Sequence, residues 1–510
     1  MAEFIKRLAG SALIRSIVVS VAVGAFFYYL KVEGGKTADI ANLRNHQELA
    51  SRAAGRQVDI GTIQASSDAE LKRLTSVGLK TMGRYQWHQA VGAFEKALVR
   101  ADPSGRIVLY DIIAICYGVQ SQLDSALAKY QLSLSLAKDI QDSTGKAAAL
   151  GFIGLLYCAK GEPDTALKYS EEALAIHREI GNQKGVASDL GNIGVIHKDK
   201  GEPDKALKYC EEALAIDREI GNQQGVVSDL GNIGVIWQYK GELDKALEYQ
   251  EEALAIGEET GDKMGVASRL SDIGNVSYGK GEMDKALEYQ RRSAKLSHEI
   301  GYRMGESAAL LNIGAILMYK DDLDEALANF ETVLASSREM GWRKNEAMPL
   351  GNIGLIWADK GELDRAQEYH EKALAIDREF GDKTGEASDL GNIGIVLGKK
   401  GDPDRALEYF EKAMKIQEEV GDKRGVAVQL CNIGYALVQK GTHERAVEPL
   451  VKSLGMFREM GIAKGPVQCL WSLGQCYQAL GRERFISACT KAGLPKNQTE
   501  DLAQQLGRTG

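Results

Sequence analysis

The phrase Leu-Gly-Asn-Ile-Gly begins at Leu190, Leu230, Leu350 and Leu390, and variants of it begin at Leu270, Leu310 and Leu430. Every interval is 40 residues or a multiple of 40, with no insertion. A fixed period in this range marks a repeat architecture, in which each unit buries its apolar face only against its neighbours. The core of such a chain grows along one axis, so 510 residues do not have to divide into separate globular domains. Chains built in this way usually serve as binding surfaces.

Each unit encodes two helices. In the unit from 191, Val186, Leu190, Ile193 and Ile196 recur at helical spacing, one buried face of a helix from about Gly185 to Lys200. Gly201 ends it, where a residue without Cβ turns left-handed at least cost. Lys200 lies in the last turn, where a cation opposes the negative helix end. Lysine recurs there at Lys160, Lys240, Lys280, Lys320, Lys360, Lys400 and Lys440. Pro203-Asp204 opens the second helix, whose apolar face is Ala206, Leu207, Ala213, Leu214 and Ile216, and Gly221-Asn222 closes it. Gly194 and Ala206 recur in nearly every unit and let the paired helices approach closely. Strict units start at 151, 191, 231, 271, 311, 351, 391 and 431, after two degenerate copies over 71–110 and 111–150. Leu470 to Leu480 begins one more first helix, and 482–507 reads as a capping pair broken at Pro495.

The N-terminus differs. Ala12 to Val32 is an apolar span of about the 20 residues that a bilayer requires. Arg15 near one end can snorkel, and Phe26, Phe27, Tyr28 and Tyr29 sit at the other end like an interfacial belt. A single-pass anchor is the leading expectation; a cleaved signal peptide and a buried helix of a soluble protein are the alternatives. Lys6, Arg7 and Arg15 precede the span while Lys31, Lys36 and Arg44 follow it, so charge hardly decides orientation. An N-terminal signal-anchor favours repeats on the exoplasmic or periplasmic side, whereas seven unpaired cysteines favour a reducing compartment. The expected organisation is an anchor over 1–32, a polar juxtamembrane spacer over 33–70 with a short helix near 38–54, a solenoid over 71–482 and capping helices over 483–510.

A net charge of -8 and a pI near 5.6 argue against a nucleic-acid partner, which needs a basic face. The cysteines are scattered. Cys210 stands where other copies carry Gln, Phe or His, and Cys431 where they carry mainly Gly, which reads as packing filler. No Cys-x-x-Cys pair exists to suggest structural zinc. Gly34-Gly-Lys-Thr37 imitates the end of a phosphate loop, but its first glycine would fall on Leu30 and no strand precedes it. The histidines show no metal pairing, and His177 is expected on a solvated helix face. Glu171-Glu172 and Glu211-Glu212 recur at fixed phase, as a solvent face does, whereas a catalytic dyad would be unique. No catalytic residue, cofactor or metal is therefore expected.

Leu190, Ile193-Gly194, His197, Gly201, Ala206, Cys210 and Ala213-Leu214 follow a known pattern, with Tyr157, Trp237, Trp357 or Tyr477 at the His197 position of other units. On these motifs the chain resembles the tetratricopeptide repeat family over about 71–482. The usual unit has 34 residues. Here extra residues around 218–222 lengthen the helices, similar to the repeats of kinesin light chains and of the LGN/Pins and rapsyn adaptors. The family's proline near the end of the second helix is missing except at Pro103. The resemblance implies an all-α, right-handed superhelical solenoid of about ten helix-turn-helix units, preceded here by the N-terminal transmembrane helix.

It also implies that the first helices line a concave groove. Its residues would then include Asn192, Asn232, Asp272, Asn312, Asn352, Asn392 and Asn432, together with Val195, Val235, Tyr239, Tyr319, Leu355 and Tyr435. An amide both donates and accepts, so a column of Asn can pair with the main chain of an extended peptide. The alternative is that each Asn bonds within its own helix pair. The groove centre is apolar and aromatic, and the basic clamp for a terminal carboxylate is absent. Protein or peptide ligands with apolar anchors are the expected partners. A self-associating array component of an envelope or secretion assembly is the second reading.

Overall fold

The computed structural model describes residues 63, 68–82, 86–460 and 467–509. The described residues form 23 α-helices. Two N-terminal helices, α1 (Ala69–Met82) and α2 (Trp87–Leu98), precede the longer pairs. These are α3 (Pro103–Val119) with α4 (Leu123–Asp139), α5 (Ser143–Ala159) with α6 (Pro163–Glu179), and α7 (Gln183–Asp199) with α8 (Pro203–Glu219). Next come α9 (Gln223–Tyr239) with α10 (Leu243–Thr260), α11 (Lys263–Gly279) with α12 (Met283–Glu299), then α13 (Arg303–Tyr319) and α14 (Leu323–Glu339). The series continues with α15 (Ala347–Asp359) and α16 (Leu363–Phe380), α17 (Lys383–Lys399) and α18 (Pro403–Glu419), and α19 (Lys423–Gln439) and α20 (His443–Glu459). It ends with α21 (Val467–Leu480), α22 (Arg482–Lys491) and α23 (Lys496–Thr509). One compact unit comprises the described residues up to Asp322 with Glu339–Trp342; the other comprises Leu323–Arg338 and the chain from Arg343.

Local sequence explains the turns. Gly201 has φ +75° and donates its N–H to Lys198 O, while the N–H of Glu202 reaches His197 O, so the last carbonyls of α7 are satisfied. At the other turn, the side chain of Asn182 accepts from Gly185 N at 3.1 Å, and Asp142, Asp262, Asp382 and Asp422 cap in the same way. Between the helices, a Cβ added to Gly194 would lie 3.1 Å from Ala206 O and 2.5 Å from Cys210 Sγ. The small residues therefore permit an approach that any side chain would block.

The recurrent lysines do more than face their own helix end. Lys200 Nζ donates to Asp164 at 2.5 Å, Lys240 to Asp204 at 2.6 Å and Lys280 to Asp244 at 2.7 Å, each pair 36 positions apart. Each lysine thus ties the end of a first helix to the start of the preceding repeat's second helix. In the second unit Lys400 lies 2.7 Å from Asp364, and Lys360 and Lys440 pair with Asp324 and Asp404.

Among the described residues, no helix is long and apolar enough to cross a membrane. The apolar span 12–32 and the short helix expected near 38–54 lie outside the described residues. Ile63, within the expected spacer, is buried with Leu71, Phe94 and Leu109. His177 corrects the sequence reading: it is 7% exposed rather than solvated, and its Nδ1 lies 2.7 Å from Asp189 Oδ2. Its phase on α6 points toward the next repeat, which the charged neighbours Arg178 and Glu179 conceal in a one-helix view.

Candidate partner-binding face

Within each unit, successive first helices touch: α7 meets α9 and α9 meets α11, and α15 meets α17 and α17 meets α19. Among the regular repeats successive second helices make no comparable contact, whereas at the C-terminal cap α20 meets α22. The first helices therefore form a continuous row of neighbours, and the side they present is the candidate face of each unit.

In the first unit Asn192, Asn232 and Asn312 are half-buried on this face, as are Val195 and Val235. Tyr239 and Tyr319 project from the helix ends, 61% and 68% exposed. The Tyr319 ring meets Tyr278 edge-on at 6.4 Å. Tyr278 escaped the column-wise reading because it sits one position out of phase with Tyr239 and Tyr319. Asp272 is held by Arg269 at 3.2 Å, and burial raises its pKa. Asn312 Nδ2 donates to Ser271 Oγ at 3.4 Å.

In the second unit Asn352, Asn392 and Leu355 are half-buried. Asn432 is buried, its amide donating to Gln429 at 3.2 Å. Tyr435 accepts from Gln439 at 3.0 Å, and its ring lies 6.0 Å from Trp471, which is 53% exposed. Trp471 falls one column away from the Asn series, so the repeat phase gave no reason to single it out.

Hydrogen bonding within helix pairs falls to other residues. Gln250 donates to Gly231 O at 3.0 Å, and Gln290 donates to Ser271 O and Asn275 Oδ1. Among the described residues no side-chain hydrogen bond engages Asn192, Asn232, Asn352 or Asn392. Their amides remain open to a ligand's main chain.

Behind this face, buried polar pairs join α6 to α7, α8 to α9 and α16 to α17. His177 faces Asp189 in the first. In the second, burial pushes Asp229 up to about 8, with the charge and hydrogen bond of Asp217 adding to it. In the third, burial and Asp389 push Asp377 up to about 7. Among the described residues no cluster of three or more His, Cys, Asp or Glu could hold a metal ion.

The tetratricopeptide repeat family model matches residues 105–179, 145–219, 185–259, 229–299, 305–379, 345–419 and 386–459. These matches span more than half of the chain, which belongs to the tetratricopeptide repeat family. No curated protein matches it. Several solved structures resemble it at low identity. BtubC from P. vanneervenii shares 21% identity over 43% of this chain and 90% of its own, with a TM-score of 0.38. A Rap protein complexed with Competence and Sporulation Factor shares 13% over 70% and 99%, with a TM-score of 0.48. The apo quorum sensor NprR from B. thuringiensis shares 14% over 69% and 100%, with a TM-score of 0.46.

Proposed function

We propose that this protein is a non-catalytic interaction scaffold that receives an extended peptide or a helix with apolar anchors along its first-helix faces. The unengaged amides of Asn192 and Asn232, beside the exposed Tyr239 ring, carry this reading. Amides supply main-chain hydrogen bonds whatever the ligand's sequence, while aromatic rings supply anchors of large buried area. Val195, Val235 and Tyr319 extend the apolar part in the first unit, and Leu355 and Tyr435 do so in the second. The apolar span 12–32 supports tethering of the scaffold to a membrane, with the partner recruited there.

The test is capture of partners from native membranes by the full chain beside a variant carrying Asn192→Ala, Asn232→Ala and Tyr239→Ala. The expected result is a partner that the unmodified chain retains and the variant loses, with the two chains melting alike. Equal retention by both chains would overturn the assignment.

A further inference from the structure

Cysteine at 431 breaks the repeat at a position with a defined neighbour. In most other units the equivalent residue is Gly, and it packs against a side chain from the next first helix. A Cβ added to Gly191 would stand 3.2 Å from Asp229 Oδ1, one on Gly351 3.4 Å from Asp389 Oδ1, and one on Gly391 2.8 Å from Gln429 Nε2. The register that pairs 191 with 229 and 391 with 429 pairs 431 with 469, where the chain again carries cysteine. Cys431 and Cys469 are both buried in one core that joins α19, α20 and α21. Their thiols are close enough to hydrogen-bond to each other, and Cys469 Sγ also lies 3.4 Å from Leu450 O. A disulfide needs Cβ atoms about 3.8 Å apart, and two short side chains facing each other at this register are placed to supply it.

We propose that Cys431 and Cys469 form a disulfide under oxidising conditions, stapling the last regular repeat to the C-terminal cap. Once α21 opens, Cys469 gives up its proton to water and attacks first. Its thiolate attacks one sulfur of a low-molecular-weight disulfide and expels a thiolate, which takes a proton from water. Cys431, giving up its own proton to water, then attacks Cys469 Sγ in the mixed disulfide and expels the second small thiol. Two protein thiols are oxidised and one small disulfide is reduced. Because both sulfurs are buried, the reaction waits on opening of α21 from α19 and runs slower than that of the half-exposed Cys158.

The test treats the full chain with oxidised glutathione, then counts free thiols in denaturant and maps linked peptides. The expected result is loss of two of the seven thiols, with Cys431 and Cys469 in one linked peptide and a raised thermal midpoint. Cys431→Gly restores the residue of most other repeats; it should fold and form no internal bridge. Retention of all seven thiols, a bridge between Cys476 and Cys489 instead, or an internal bridge persisting in the glycine variant would each overturn the proposal.

Discussion

Asp217 of α8 and Asp229 of α9 face each other through their carboxyl groups, both buried out of contact with water. As a carboxylate, Asp229 would leave its Oδ2 without a donor; protonated, it donates to Asp217. Asp217 also accepts from Asn222 at 2.8 Å, and Lys184 is the cation that faces it. The proton therefore stays on Asp229 up to about pH 8, whereas an unfolded aspartate loses it near pH 4.

A folded pKa above the unfolded one means that this stabilisation is complete below about pH 4 and is lost as pH rises through the folded pKa. Asp377, up to about 7, acts in the same direction; Lys344 and Asp382 are the other charges near it. The thermal midpoint should fall between pH 5 and pH 9. Asp229→Asn, which keeps the donor and removes the titration, should melt above the wild type at pH 9 and close to it at pH 5. A variant below the wild type at every pH would contradict the shared proton.

Ala206 is fully buried, with its carbonyl in the cleft that Gly194 leaves open. Ala206→Leu forces α7 and α8 apart and should cost on the order of 1–3 kcal/mol. Chemical denaturation read by circular dichroism measures it. An unchanged transition would refute the close-packed contact.

The lysine–aspartate ties are exposed on the aspartate side, as the 87% exposure of the Asp204 side chain shows. Each is weak alone and screened by salt, and their common direction along the chain makes them additive. Melting should therefore drop as sodium chloride rises from 0.05 to 1 M. Lys200→Gln, Lys240→Gln and Lys280→Gln together should flatten that dependence. An equal salt response in both chains would show that the ties contribute nothing.

Helix positions were legible because Leu190, Ile193 and Gly201 state one helix and its end, and identical units make each reading seven times over. The Asn column was legible as a column, since a half-buried polar residue at fixed phase has few roles. Relations between repeats were harder to read. Lys200 looks like a helix-end cation until Asp164, 36 residues back, comes beside it. His177 looks solvated until Asp189 of the next helix covers it. Such pairings depend on the rotation between units, which a one-helix periodicity does not contain. They leave a trace only as coordinated exceptions, such as Asp217 with Asp229 or Cys431 with Cys469.

Trp342 is another such exception. Most other repeats carry Asn or Asp at this turn, and Asn182 and Asp382 among them cap the first helix. With Trp there the regular cap is lost, and Arg343–Glu346 form a 3-10 turn before a shortened α15. The ring is instead 2% exposed in the core that contains Phe94, Leu74 and Ile112, beside Met340. The N-terminal helices thus complete their core with a residue from far along the chain. Trp342→Ala should cost about 3–5 kcal/mol, concentrated in α1 to α3 because a solenoid transmits stability mainly to nearest neighbours. Amide hydrogen exchange should show lost protection over Ala69–Val119 and little change in α18. Trp357→Ala, at a half-buried site in α15, should leave α1 to α3 protected. Uniform loss along the whole chain in the Trp342 variant would show that the ring supports general folding instead of closing the N-terminal core.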